Sequence, residues 1–165
     1  ATHLVAGRRR VLLGAIALTQ LVAFWEATPH SLAWTAPPFR PAYRWVSDSN
    51  LDFAQDSGRL AEWVAERVAA GETVWTSQIL PRGGAEPEGA RSLLGVDPRE
   101  IRGLVAIGAT SLTVVNQEHF GWLRAYCPVD TIGGSILIYR FDEPPVVTDG
   151  PTMPSAPCSG DVSVR

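Results

Sequence analysis

Several residue types are scarce or absent in this 165-residue sequence, and their absence argues against particular functions. Lysine is missing, so all 14 basic residues are arginine, and the only dense basic run is Arg8-Arg9-Arg10. The 17 acidic residues give a net charge of −3. A nucleic-acid surface needs clustered basic groups that displace phosphate counterions. We therefore expect no nucleic-acid partner, and we attribute the missing lysine to a high-GC bacterial genome.

Residues that carry catalysis or bind metals are also few. The three histidines, His3, His30 and His119, lack the HxxxH or HExxH spacing of a metal site. The sequence contains no GxSxG motif, phosphate loop or dinucleotide-binding glycine pattern. We therefore assign no catalytic residue, no metal ligand and no cofactor to this chain.

The chain has two cysteines, Cys127 and Cys158. In an oxidising compartment they can form a disulfide, and closing a loop of about thirty residues contributes roughly 3 to 4 kcal/mol. Because Cys158 falls in a tail of Pro, Ser and Thr, the pairing stays open. Neither cysteine has a neighbour that would make it a nucleophile.

One long apolar run is present, from Val11 to Trp25, and it lies between Arg8–Arg10 and Glu26. A membrane-spanning helix needs about 20 apolar residues, and arginine stems can extend the effective length. Arginine on the amino-terminal side places that side in the cytoplasm. We predict that residues 1–27 form a transmembrane helix with a cytoplasmic flank and that residues 28–165 are extracytoplasmic.

This apolar run has two other interpretations. A buried core helix is disfavoured because the run is apolar on all sides and follows three arginines. A secretory signal peptide, with cleavage after Ser31-Leu32-Ala33, would also place the remaining chain outside the cytoplasm. Since the first residue is Ala1 rather than methionine, we expect the chain to be a piece of a longer protein.

The remaining sequence predicts one α/β domain over residues 45–142, after a proline-rich connecting loop over residues 28–44. An amphipathic helix is expected from Asp52 to Ala70, capped by Ser49 or Asp52 and terminated by Gly71. The other predicted elements are strands at Glu72–Ile79, within Arg102–Leu112 and at Ser135–Phe141, a helix at Glu118–Tyr126 and a polar loop at Pro81–Gly89. We predict a sheet of three or four strands and a disordered tail over residues 143–165.

The densest polar cluster runs from Asp48 to Asp56. Its candidate ligand or face-shaping residues are Asp48, Asn50, Asp52, Gln55 and Asp56. The alternation resembles a calcium loop, but Phe53 occupies the glycine position and Arg59 the position of the bidentate glutamate. Capping of a helix is the favoured interpretation. Binding of a sugar or a cation near the membrane is the alternative.

Four stretches together resemble the carboxy-terminal region of bacterial GT-C membrane glycosyltransferases of family 39, the protein-mannosyltransferase-like, phospholipid-carrier-dependent group. The stretches are Pro29–Trp34 (PHSLAW), Asp48–Asp56 (DSNLDFAQD), Ala106–Leu112 (AIGATSL) and the closing region Trp122–Tyr139, with Ile132-Gly133 and Ser135–Tyr139. The family forms are P-H-x-L-A-Y-F-N, D-S-N-x-D-W-G-Q-D and A-I-S-A-T-x-L for the first three, and the resemblance implies that a helix beginning near Ser57 follows the second. This chain departs at Ala36, where the family has asparagine, and at Phe53-Ala54, where it has Trp-Gly.

The resemblance implies that the whole enzyme transfers a mannose-like sugar from a polyprenyl-phosphate donor on the outer face of the bacterial membrane. It places the catalytic acidic residue in an upstream loop that has no counterpart here, and it leaves a divalent cation in the complete enzyme open. Membrane lipid and the donor are then the expected partners. The alternative is a stand-alone, membrane-anchored module that binds a glycan or a protein and has no enzymatic activity.

Overall fold

The computed structural model describes residues 2–28, 33–36, 39–45, 54–77, 86–112 and 117–147. The helices are α1 (Thr2–Ala27), α2 (Ser57–Ala69) and α3 (Gln117–Phe120), with 3-10 helices at Ala42–Arg44, Pro98–Glu100 and Gly121–Ala125. The strands are β1 (Val74–Ser77), β2 (Arg91–Ser92), β3 (Gly103–Gly108), β4 (Asp130–Ile132) and β5 (Ile136–Phe141). The predicted α/β class, with an amino-terminal helix before a small domain, is confirmed.

Helix α1 does not pack into the domain. Its segment Gly7–Ala27 has 21 residues and a mean hydropathy of 1.4, and none of its apolar window is buried. The helix is therefore long and apolar enough to cross a membrane, a property that a signal sequence shares. A buried core helix is excluded by this exposure. The helix continues through Arg8–Arg10 because arginine is a good helix former.

Helix α2 begins at Ser57, later than the hydrophobic spacing predicts and at the position that the family resemblance implies. Its N-cap position is Asp56, so the predicted cap at Ser49 or Asp52 is wrong. The predicted terminator is confirmed: Gly71 has φ +80°. The amide of Gly71 donates to Val68 O over 2.9 Å, and the amide of Glu72 donates to Arg67 O over 3.0 Å. These two bonds form a Schellman motif, which satisfies carbonyls at the helix end.

The sheet has five strands in the order β2-β1-β3-β5-β4, one more than the predicted maximum. β1 pairs in parallel with β2 and β3, whereas β5 pairs antiparallel with β3 and β4. The sequence prediction omitted β2 and β4, which have only two and three residues. Such short strands carry too little alternation to be recognised from hydrophobic pattern alone.

Side chains alternate between the two faces of the sheet, as strand geometry requires. One face packs against Leu60 and Val64 of α2; its sheet residues are Val74, Leu104, Ala106, Ile132, Ile136 and Ile138. The other face packs against Phe120, Leu123 and Ala42; its sheet residues are Trp75, Val105, Ile107, Leu137, Tyr139 and Phe141. The two apolar layers hold the strands and helices in one α/β unit.

Residues of both flanking segments contact this unit. Ala42, in the predicted connecting loop, is buried in the second apolar layer. In the predicted tail, the Tyr126 hydroxyl donates to Val146 O over 2.9 Å and accepts from the Val146 amide over 2.7 Å. Residues 148–165 lie outside the described residues.

Candidate functional site

Buried polar side chains collect at one edge of the sheet, where the parallel strands β1 and β3 end. We call it the carboxyl edge. The buried polar residues in the described part of the chain are Asp56, Thr76, Ser77, Ser111, Thr131 and Ser135. Ser77 and Thr131 lie in one row across the sheet, through Ile107 and Leu137. In open α/β sheets this edge is where ligands bind.

Asp56 is the one acidic residue among these buried side chains, with an exposed fraction of 1%. Its Oδ2 accepts a hydrogen bond from Ser135 Oγ over 2.7 Å. Its Oδ1 accepts from Arg59 Nη1 over 2.5 Å, and the Arg59 side chain stays 42% exposed. A buried carboxylate is costly unless it is paired and hydrogen-bonded. Both oxygens of Asp56 meet this requirement.

The turn between β4 and β5, residues 133–135, is shaped around this carboxylate. Gly133 has φ +62°, a conformation that favours glycine. A Cβ atom added to Gly133 would overlap the Asp56 carboxylate. The Ser135 carbonyl accepts from the Ala109 amide over 2.8 Å, which ties the turn to the end of β3. Asp56 therefore joins the start of α2 to the β4–β5 hairpin.

Ala54 has an unusual backbone for its residue type. Its φ is +61°, in the left-handed region that glycine adopts more easily. The carbonyl of Ala54 accepts from the Ser57 hydroxyl over 2.7 Å and from the Ser57 amide over 3.3 Å. The chain therefore turns sharply at Ala54 before α2 begins. This is the position at which the resembling family has glycine.

The structure separates the predicted site residues. Asp56 is buried, whereas Gln55 beside it is exposed. Asp48, Asn50 and Asp52 lie outside the described residues. The capping interpretation is wrong for Asp56, because it occupies the N-cap position but makes no side-chain capping bond. Its carboxylate is used for the tertiary contact with Ser135 instead.

Cysteine and metal-ligand geometry add two findings. Cys127 is disulfide-bonded, and Cys158, the other cysteine of the sequence, lies outside the described residues. Within the described ranges, no group of three or more His, Cys, Asp and Glu side chains is arranged to hold a metal ion.

A second charged cluster lies at the opposite edge of the sheet. Glu72 accepts from Arg140 Nη2 over 2.8 Å and from Arg67 Nη1 over 3.4 Å. The hydrogen bond from Arg140 is the main cause that lowers the pKa of Glu72, and Arg67 lowers it further. These partners neutralise the acid that precedes β1, so the cluster has a structural explanation.

Sequence reasoning missed three partners of Asp56: Arg59, Gly133 and Ser135. One signal was present. Thr131-Ile132 followed by Gly133-Gly134 is a β-branched pair before a two-glycine turn, which is typical of a hairpin. The contact between Asp56 and Ser135 spans 79 residues of sequence. A contact over such a separation cannot be found from local pattern.

Among the described residues, Ala33 of the first resembling stretch, Asp56 of the second and Ala109 of the third lie against the 133–135 turn, which belongs to the fourth. A Cβ atom on Gly134 would lie 3.0 Å from the Ala33 side chain, which belongs to the first stretch. Asp56 from the second stretch and Ala109 from the third both bond to Ser135 of the fourth. The chain matches no protein-family model, no curated protein and no solved structure.

Proposed function

We propose that this chain is the carboxy-terminal, non-catalytic portion of a bacterial integral membrane glycosyltransferase of the GT-C type. The complete enzyme transfers a mannose-like sugar from a polyprenyl-phosphate donor on the outer face of the membrane. The observation that carries this proposal is that Ala33, Asp56 and Ala109, one described residue from each of three resembling stretches, all contact the 133–135 turn of the fourth. The catalytic acidic residue then lies upstream, outside this chain.

The convergence supports the proposal for a physical reason. Short matches that arise by chance along a sequence have no reason to share one set of contacts in the fold. Here Ala33, Asp56 and Ala109 each contact the same three-residue turn. Ala54 adds support, because its φ of +61° is the conformation for which the family glycine is suited.

The proposal assigns a position in the complete enzyme to each part of this chain. Helix α1 is its last transmembrane helix, and the α/β domain lies outside the membrane. Ala33, six residues after α1, packs beside Gly134 at the carboxyl edge. The carboxyl edge is thus contacted by a residue that lies close after α1 in the sequence. We assign it the role of shaping the outer face above the active site.

Two variants of the full-length enzyme test this role. Asp56→Ala removes a buried carboxylate and leaves Ser135 without its acceptor, at a cost of about 2 to 3 kcal/mol. We expect sugar transfer and protein level to fall together in this variant. Asp48→Ala should lower sugar transfer more than protein level. The assay follows transfer of labelled sugar from a polyprenyl-phosphate donor, with protein quantified by immunoblot.

Glu62→Ala is the matched control, because Glu62 is an exposed acidic residue of α2 outside the Asp48–Asp56 cluster. It should preserve protein level. If Asp48→Ala lost activity and protein level equally, the Asp48–Asp56 cluster would have a structural role only. A coding sequence without further hydrophobic segments upstream of Ala1 would contradict the glycosyltransferase and favour the stand-alone binding module.

A further inference from the structure

Two large aromatic side chains are exposed shortly after α1. Phe39 is 51% exposed and Trp45 is 60% exposed. Their ring centroids lie 5.6 Å apart with an interplanar angle of 89°, an edge-to-face pair. The pair stands outside both apolar layers of the domain. Adjacent exposed aromatic rings mark an interaction surface more often than isolated ones do.

An ion pair determines the position of these rings along the axis of α1. Arg40, next to Phe39, donates from Nη2 to Glu26 Oε2 over 2.5 Å. Its Nε donates to Thr35 O over 2.9 Å, and its guanidinium lies 5.6 Å from the centre of the Trp34 ring. Arg40 is therefore held at the carboxyl end of α1, and Phe39 is held beside it.

The length of α1 places this position at the edge of a bilayer. Gly7–Ala27 has 21 residues; its uncharged part, Val11–Trp25, spans about 22 Å at a rise of 1.5 Å per residue, and the stems of Arg8–Arg10 extend it towards the roughly 30 Å of the hydrocarbon core. Glu26 then lies at the outer boundary of that core. Trp25, one residue before it, is 82% exposed. Tryptophan is enriched at this boundary in membrane proteins.

We propose that residues 39–45 form an interfacial anchor, in which Phe39 and Trp45 insert into the headgroup region of the lipid bilayer. The proposal rests on the proposed membrane-spanning role of α1. The Glu26–Arg40 pair joins two opposite charges at the boundary, which lowers the cost of placing them in a less polar environment. Aromatic rings are the side chains that this environment favours.

The other side of the anchor is attached to the domain. Ala42 is 5% exposed and belongs to the second apolar layer, against which Tyr43 also packs. Because the anchor contacts the core on one side and the lipid on the other, it holds the domain against the membrane surface. The carboxyl edge is thereby kept close to the bilayer, where a lipid-linked donor would be found.

Tryptophan quenching in vesicles tests the anchor. The chain is reconstituted in phosphatidylcholine–phosphatidylglycerol vesicles whose lipids carry bromine either near the headgroup or near the chain end. The difference between the unsubstituted chain and Trp45→Phe isolates the emission of Trp45. We expect this emission to be blue-shifted, to lose most of its intensity with bromine near the headgroup and to lose little with bromine near the chain end.

Two further variants separate the possible failures. Trp75→Phe isolates a ring that is only 9% exposed inside the domain, and its emission should not respond to either lipid. Trp25→Phe reports on α1. If Trp25 were quenched and Trp45 were not, the anchor would be overturned while the membrane-spanning role of α1 would stand. Phe39 and Trp45 would then form a surface for a protein partner. Absence of quenching at both positions would overturn the anchor and the membrane-spanning role together.

Discussion

Helices α1 and α2 have the same secondary structure but opposite relations to the rest of the chain. α1 has 26 residues and α2 has 13. No residue of the apolar window of α1 is buried by the domain, whereas Leu60 and Val64 of α2 are at most 1% exposed. Apolar residues surround α1 but occupy one face of α2. The distribution of apolar residues around a helix, rather than its helix propensity, therefore determines whether the helix packs on the domain or stays exposed.

The ends of the two helices differ in the same way. The N-cap residue of α2, Asp56, bonds to Ser135, and the helix is terminated by Gly71 in a Schellman motif. Both ends are thus determined by specific partners. Among its described contacts, α1 is tied to the following segment by the Glu26–Arg40 pair. We expect substitutions around α2 to change the stability of the domain and equivalent substitutions in α1 to leave it unchanged.

The largest contrast is expected between two glycines. Gly133→Ala places a methyl group on the Asp56 carboxylate at a φ of +62°. The overlap and the strained backbone together should lower the free energy of unfolding by about 4 kcal/mol. Gly14→Ala in α1 meets nothing within 4 Å. Near-UV circular dichroism during heating in detergent micelles measures both.

Gly14→Ala is the control in this experiment, and its transition should coincide with that of the unsubstituted chain. If Gly133→Ala unfolded at the same temperature as well, the turn could not be packed around Asp56.

A leucine pair gives the next largest contrast. Leu60→Ala in α2 removes a side chain that is 1% exposed, and such truncations cost about 2 to 5 kcal/mol. Leu18 in α1 is 63% exposed, so Leu18→Ala should leave the domain's transition unchanged. The thermal transition of each variant is compared in the same detergent. Destabilisation by Leu18→Ala would show that α1 packs on the domain.

The sequence was sufficient to predict the two helices but not every contact at their ends, for physical reasons. The apolar run Val11–Trp25 and the terminator Gly71 are local signals, so the sequence predicted both helices. Strand β4 has only three residues, too few to show an alternating pattern, and the start of α2 depends on the contact between Asp56 and Ser135, which are 79 residues apart. The structural role of Asp56 was hidden for that reason, and its sequence neighbours favoured a cap.

A smaller effect is expected at the turn that precedes α2. Ala54→Gly should raise the free energy of unfolding by about 1 kcal/mol, because glycine adopts a φ of +61° without strain. Ala61→Gly, at an exposed position inside α2, should lower it by about 1 kcal/mol. Urea unfolding followed by circular dichroism compares the two. A gain in stability for Ala54→Gly with a loss for Ala61→Gly would support the positive φ of Ala54. A loss of stability in both variants would contradict it.

The smallest effect concerns pH. The bonds from Arg140 and Arg67 lower the pKa of Glu72 below its ordinary value of 4.5. A group whose pKa is lower in the folded state stabilises the fold above its unfolded pKa and loses this contribution as pH falls through the folded value. Stability should therefore decline below about pH 4.5, and Glu72→Gln should reduce the decline. Urea titrations at a series of acidic pH values measure this difference, with Glu62→Gln as the control.

The central claim is that α1 spans a membrane and carries the domain on its outer side. Alkaline phosphatase is active only outside the bacterial cytoplasm, so fusing it after Val147 reports the side on which the domain lies. We predict high phosphatase activity in the membrane fraction, on a fusion that keeps its full mass. An inactive fusion would contradict the orientation, and an active, soluble fusion shortened near Ala33 would show that α1 is a cleaved signal peptide.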